Sequence, residues 1–316
     1  MRYAHIVAYV ASQVWAIAPE KMAELLDVLA FRASGQAFTP EEIEARLGAK
    51  APAVPAGRGV GVLPVRGTIA HRMGSLDESS GGISCERLGA MLDQLVADPN
   101  VGTILLDVDS PGGTVVGVPE LADKVYAARQ HKRIVALVNG LAASAAYWIA
   151  SQADEVVSIP SGFTGSIGVY TVHADLSEKL AKEGISMSVI SAGKHKVDGQ
   201  PFQPLSDEHK AYLQALVDES YGQFVAAVAR GRGVSAADVR GGFGDGRVLR
   251  GKEAKAAGLI DHLATVDDTL ARLLRGGGSV AMGARAEDDT PAVAAALPDE
   301  GLTDDESDRR RRWRFV

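Results

Sequence analysis

The chain has a single cysteine, Cys85, in 316 residues, aromatics make up only 5% of it, and acidic residues outnumber basic ones. No window holds the roughly 18 uninterrupted apolar residues that a membrane-spanning helix needs. Each shortage excludes something. A lone cysteine forms no intrachain disulfide and holds no cysteine-based metal cluster, and Cys85 reads as a small apolar filler. With so few aromatics, small aliphatic side chains must fill the core. A formal net charge of -7 argues against a general nucleic-acid binder, which would present a basic surface. The opening MRYAHIVAYVASQVWAIAPE has the look of a weak secretory leader, but His5, Ser12 and Gln13 interrupt it. The expectation is a soluble, cytoplasmic protein with neither a nucleic acid nor a membrane as partner. No GxxxxGK[ST], HExxH or CxxC occurs, so no cofactor and no metal is expected.

What the chain does have is 46% hydrophobic residues and 35 glycines, at a length suited to one large domain of roughly 200 to 250 residues with appendages. Residues 19–34 (PEKMAELLDVLAFRAS) space Met22, Leu25, Leu26, Leu29 and Phe31 as a short amphipathic helix outside the main fold. AKAPAVPAGRG at 49–59 reads as a linker. From residue 60 apolar runs alternate with helical segments. GVGVLPVRGTIA, VGTILLDVD and RIVALVNG are strand candidates, and CERLGAMLDQLVAD and VPELADKVYAARQ are the helices between them. Alternating βα units of this kind predict a parallel sheet covered by helices. EVVSI, SIGVYTV and ISMSVIS read as further short strands. A long helix over 206–231 opens with Ser206 as its N-cap, and RGKEAKAAGLIDHLA adds one more helix before the GGG at 276–278. The expected division is an N-terminal helical extension (1–48), a linker (49–59), a catalytic domain (60–275) and a disordered charged tail (276–316) that is acidic and then ends in RRRRWRFV.

Two stretches carry chemistry. In DVDSPGGTV (107–115) an apolar run breaks into Ser-Pro-Gly-Gly, a pattern that suits either an ordinary turn or a backbone aimed at an anion. In NGLAASAAYWIASQAD (139–154) Ser144 stands among alanines where a strand meets a helix. It is placed either to cap that helix or to act as a nucleophile with room for substrate around it.

SPGG, GLAASAAYWIA, FTGSIGVY (163–170) and SAGKHKVDG (191–199), in this order, resemble the signal peptide peptidase A family of serine proteases, and in particular its bacteriophage head (capsid) maturation branch, the lambda protein C type. The resemblance spans roughly residues 60–270. It implies an α/β architecture of ClpP/crotonase type built from stacked βαβ units, and a serine-lysine dyad. By that resemblance Ser144 is the nucleophile, Lys196 the general base and Ser166 the residue that orients the lysine. Gly113 and Ala145 match the backbone donors of the oxyanion hole. Where the family often has glycines after its nucleophile, this chain has alanines.

Acting as a base requires Lys196 to lose a proton, so its pKa must fall several units from about 10.4 through desolvation or a nearby cation. Lys194 is either that cation or a solvated neighbour, and His195 reads as surface. His173, with Asp175 to orient it, is the alternative base in a Ser-His-Asp arrangement. The function implied is cleavage of capsid, scaffold or portal proteins during phage or prophage head assembly, by a homo-oligomer in which neighbouring subunits complete the site. The alternatives are a cellular signal-peptide-peptidase-like protease, an acyl-CoA enzyme on the same fold, and a non-catalytic assembly or scaffold-anchoring protein.

Overall fold

A computed structural model describes residues 13–33, 59–73, 81–275 and 280–282, all within the unit Met1–Gly283. The linker, apart from Gly59, and the tail from residue 283 onward lie outside the described residues.

The centre is a sheet of parallel strands whose sequences are apolar on both faces. It runs through β2 (Gly59–Arg66), β5 (Val101–Ser110), β7 (Arg133–Ala143) and β8 (Glu155–Ser158). Alternation along β5 and β7 divides the core. Ile104, Leu106, Val108, Ile134, Ala136 and Val138 enter the large cluster, which also holds helix residues, whereas Leu105, Val135 and Leu137 enter a smaller cluster on the opposite face. A parallel sheet needs both faces covered, and these continuous apolar runs are how that need shows in a sequence.

Helices supply the cover. Helix α1 (Pro19–Ala33) belongs to the N-terminal segment. Helix α2 (Cys85–Ala97) begins at Ser84, whose Oγ accepts the Arg87 N–H (3.2 Å), and buries Leu88, Leu92 and Leu95 at helical spacing. Helix α3 (Val118–Ala128) buries Leu121, Ala122 and Val125. Helix α4 (Ala145–Ala150) is buried on every side. Its Trp148 stacks on Phe224 of the long helix that follows it in space, ring centroids 4.4 Å apart.

The chain continues through β9 (Phe163–Gly165), α5 (Ser177–Lys182) and that long helix, α6 (Asp207–Arg232). As the sequence suggests, α6 starts at Ser206, whose Oγ accepts the His209 N–H, and it stops at Gly233 in the left-handed conformation. Helix α7 (Ala236–Gly242), β10 (Val248–Arg250), α8 (Gly251–Ala256), β11 (His262–Leu263) and α9 (Val266–Arg275) complete the domain, with α9 over the smaller cluster. β10 pairs antiparallel with β9, and β11 parallel with β8. The α/β architecture of stacked βαβ units implied by the sequence is the one observed.

Four local readings change. First, Trp15–Ile17 is a strand, β1. It joins β6 (Gly112–Thr114), β3 (Thr68–Ala70) and β4 (Gly82–Ser84) in a second sheet, because Trp15 and Ile17 bury their side chains with Met22 and Tyr170. The N-terminal segment therefore contributes to the fold as well as carrying the expected helix. Second, Val280–Met282 is a strand, β12, running parallel to β2 at the sheet edge, so order extends into the stretch expected to be tail. Third, SIGVYTV forms no strand beyond a single bridge at Tyr170. Fourth, ISMSVIS forms none, since no neighbour covers it: Ile185, Met187 and Val189 are exposed and Ile190 is 99% exposed.

Two results follow. Phe224→Ala removes the stacking partner of Trp148 from a closed core and is expected to cost about 3–5 kcal/mol, read from urea unfolding. The second concerns Asp261, whose burial alone would raise its pKa. Arg232 holds it below the usual carboxylate range through two hydrogen bonds (2.6 and 2.9 Å), aided by the Val156 N–H. A carboxylate with a depressed folded pKa adds stability above its ordinary value and loses it as the pH falls through the folded one. The gap in thermal midpoint between wild type and Asp261→Asn is therefore expected at neutral pH and should close as the pH falls below 3.8, the ordinary value. A gap that persists at pH 2 would contradict this.

Candidate active site

β5 ends in Ser110-Pro111-Gly112-Gly113, and the turn is held by its own serine. Ser110 Oγ donates to Gly67 O (2.6 Å) and accepts the Gly112 N–H (3.1 Å). One residue earlier, the Asp109 carboxylate accepts the Leu141 N–H (3.2 Å) and so ties the end of β5 to β7. Burial raises the Asp109 pKa, with the Leu141 N–H opposing. Gly112 sits at φ 97°, and a methyl group there would lie 2.2 Å from Ala16 O and 3.0 Å from both Ala143 O and Ala145 N. Only glycine lets these three backbones meet.

On the other side of Gly112, β7 runs into α4 through Ser144. This residue has φ 57° and ψ -119°, a conformation costly for anything but glycine, and it is 1% exposed. Its N–H donates to Gly165 O (2.8 Å), and its carbonyl accepts the Trp148 N–H (2.9 Å). The side chain caps nothing: Ser144 Oγ donates a long bond to Gly168 O (3.3 Å). Of the two roles open to Ser144 in the sequence, capping is thus not the one its hydroxyl performs. Ala145, the first residue of α4, has an N–H that the helix leaves unused. The stack of Trp148 on Phe224 and the bond from Tyr147 Oη to Leu259 O (2.8 Å) fix α4, and with it the turn.

β9 pairs with the end of β7 (Ala143 opposite Gly165), which sets Ser166 one residue beyond the pair. Ser166 is buried, also has positive φ (54°), and donates its N–H to Arg247 O (2.8 Å). The structure thus gathers Ser144, Ala145, Ser166 and the Gly112–Gly113 strand at one junction of β5, β7 and β9.

Among the described residues no hydrogen bond joins Lys196 to this junction. Lys196 is on an exposed turn, with its N–H on Gly193 O (3.1 Å), and among the described residues its ammonium makes no hydrogen bond. Lys194 pairs with Glu208 (2.7 Å), and that hydrogen bond holds its pKa up, so Lys194 is an ion-paired surface charge. His195 Nδ1 lies 2.8 Å from Asp198 Oδ2, at the surface as expected. Nor, among the described residues, does a hydrogen bond join Ser144, His173 and Asp175. The half-buried His173 has no hydrogen-bond partner at Nε2, and Asp175 accepts the Ser177 N–H (2.9 Å). The sequence reading missed the segment Trp15–Ala18, which lies against Gly112–Thr114. Its only sequence signal was a short apolar run before a proline, in a stretch assigned to the N-terminal helical extension.

The profile of Peptidase family S49 matches residues 126–277. The head-tail preconnector protein GP5 of Enterobacteria phage P21 is 37% identical over 212 residues, covering 67% of this chain and 42% of that protein. The capsid assembly protease C of Escherichia phage lambda is 36% identical over 212 residues, covering 67% and 48%. The slr0021 protein of Synechocystis sp. is 36% identical over 193 residues, covering 60% of this chain and 69% of that protein. The chain spans about half the length of the two phage relatives.

Backbone strain at Ser144 is measurable apart from any activity. Ser144→Gly and Ser144→Ala both lack the hydroxyl, but only glycine adopts this conformation freely. The glycine variant is expected to be the more stable by about 1 kcal/mol in denaturant unfolding. Equal stabilities would show that the turn is relaxed.

Proposed function

The chain belongs to peptidase family S49, and on that premise we propose that it is a serine endopeptidase acting on capsid, scaffold or portal proteins during phage or prophage head assembly. The observation that carries the reading is Ser144: a buried serine on a strained strand-to-helix turn, its hydroxyl free of capping, at a point where the backbones of Gly112 and Ala145 meet. A cap or a packing residue has no need of that backbone.

The reaction is acyl transfer. Lys196, as the neutral amine, takes the proton of Ser144, and Ser144 Oγ adds to the carbonyl carbon of the scissile peptide. The negative charge that develops on the carbonyl oxygen is met by the N–H groups of Gly113 and Ala145, each such donor lowering the barrier by about 3 kcal/mol. Collapse expels the amine, which takes the proton from Lys196, and water then hydrolyses the ester. Ser166 orients the lysine. An alanine in place of glycine at 145 keeps the main-chain donor and narrows the space around it.

The position of Lys196 bears on how the site is completed. In the single chain it stands on an exposed segment with Ile185, Met187, Val189 and Ile190, an apolar surface without cover. We take the working enzyme to be a homo-oligomer in which contact between subunits brings the lysine to the serine. The name of the lambda relative, a capsid assembly protease, supports the choice of substrates and a working place in the host cytoplasm or prohead. Among the described residues no helix is long and apolar enough to cross a membrane. In this reading residues 60–275 form the catalytic domain, with an accessory arm before it and a charged tail after it.

Self-cleavage and cleavage of capsid partners, followed by gel and intact mass, are expected to fall by about 10⁴-fold or more in Ser144→Ala and Lys196→Ala, and to survive in His173→Ala. Full activity in Lys196→Ala with loss in His173→Ala would move the base to the histidine. Cleavage that ignores both Ser144 and Lys196 would end the protease reading in favour of a non-catalytic assembly protein.

A further inference from the structure

β1 lies between two other segments, and its hydrogen bonds are those that an extended peptide would make while passing Ser144. On one side the Val115 N–H donates to Val14 O (3.1 Å) and the Ala18 N–H to Pro111 O (2.8 Å). Hydrogen-bonded pairs in an antiparallel ladder recur at every second residue. The pair midway between these two, Ala16 opposite Gly113, is therefore also of the hydrogen-bonded kind, and the Gly113 N–H faces Ala16 O. On the other side the Trp15 N–H donates to Tyr170 O (2.8 Å) and the Tyr170 N–H to Trp15 O (3.0 Å). The Cβ position of Gly112 is crowded by Ala16 O and by Ala145 N together. The carbonyl of Ala16 thus faces one proposed oxyanion donor and lies close to the other.

We propose that Val14–Ala18 is a tethered occupant of the substrate groove, bound as a substrate would be, with Ala16 just before the position of cleavage and Ile17 just after it. This rests on the reading of Ser144 as a protease nucleophile. It names the class of substrate: an extended segment that adds as a strand between Gly112–Val115 and Tyr170, with a residue no larger than alanine before the scissile bond. The size limit comes from packing. Ala16 is fully buried within the main core cluster, while Trp15 and Ile17, pointing the other way, pack with Met22 and Tyr170. A larger side chain at 16 would meet closed core. Main-chain pairing of this kind supplies affinity, and the alternate side chains supply selectivity. The arm also regulates: a substrate enters only when the arm leaves, which raises the apparent KM and leaves kcat unchanged.

The test uses the full chain and a quenched fluorescent peptide of sequence Ser-Gln-Val-Trp-Ala-Ile-Ala-Pro, the chain's own residues 12–19. Trp15→Pro removes the N–H given to Tyr170, and Ala16→Arg no longer fits. Both are expected to lower KM by about tenfold at constant kcat, with the peptide cut between its Ala-Ile pair. Ser144-dependent hydrolysis with wild-type KM in both variants, or a cut at another bond, would overturn the proposal while leaving the protease reading in place. A second measurement needs no activity. In full-length Ser144→Ala, hydrogen exchange at the Trp15 and Ala18 amides should be as slow as at Val115 and Tyr170, and fast exchange at the first two would overturn the occupancy. If no Ser144-intact protein cuts any peptide, the protease reading fails and this one fails with it.

Discussion

The hydrogen bond from Ser144 N–H to Gly165 O holds a residue with a side chain in a backbone conformation that costs on the order of 1–3 kcal/mol. A lone hydrogen bond in water would not hold it, since its net worth is about 1 kcal/mol. What holds it is that both ends of the turn are anchored in closed core. On one side is β7, buried on both faces of the parallel sheet. On the other is α4, with Trp148 against Phe224 and Tyr147 bonded to Leu259 O. The two pieces cannot relax toward each other without opening the core, so the bent serine persists. Gly112 occupies the space this leaves, and the second sheet is built on it. The geometry at the serine is a by-product of packing many residues away.

How much of this was legible in the sequence follows from how local the cause of each feature is. The runs at 101–109 and 133–140 read as strands because a doubly covered strand must be apolar throughout, and Ser206 read as a cap because a cap needs only its own next three residues. SPGG and AASAA read as site elements for a similar reason, since glycine and alanine pairs mark places where backbones approach. β1 was not legible. Three residues carry no periodicity, and their partners at Gly112–Thr114 and Tyr170 are distant in sequence. The opposite error came at 166–172 and 185–191, where β-branched and apolar residues suggested strands. Composition signals a wish for cover, and a single chain leaves Ile185, Met187, Val189 and Ile190 without it. The pairing of Lys196 with Ser144 came from motif order alone: the lysine is exposed, the serine is buried, and no local pattern links them.

The domain therefore has two mechanical characters. In β2, β5, β7 and α4 the backbone is locked by the core, and the groups that would polarise a carbonyl are fixed. From residue 181 to 196 the chain is exposed, and this segment is tied to α6 by surface charge, with Lys194 on Glu208 and Asp198 near His209. Surface pairs of this sort are worth little and are screened by salt. In the reading proposed above, the serine half would be fixed and the lysine half loosely tethered, so that assembly would switch chemistry on without deforming the half that must stay exact.

β1 has one more consequence, and it concerns time. Its partners belong to segments that must themselves be in place first: β6 hangs from the end of β5, and Tyr170 follows β9. Contacts between parts of the chain so far apart close late, because the entropy of the intervening loop is lost before the contact returns anything. If β1 fills the groove as proposed, every newly made molecule passes through an interval in which the groove is complete and the strand has not arrived. In that interval the molecule is as open as it will ever be by its own means, and whichever extended segment is nearest has first use of the site.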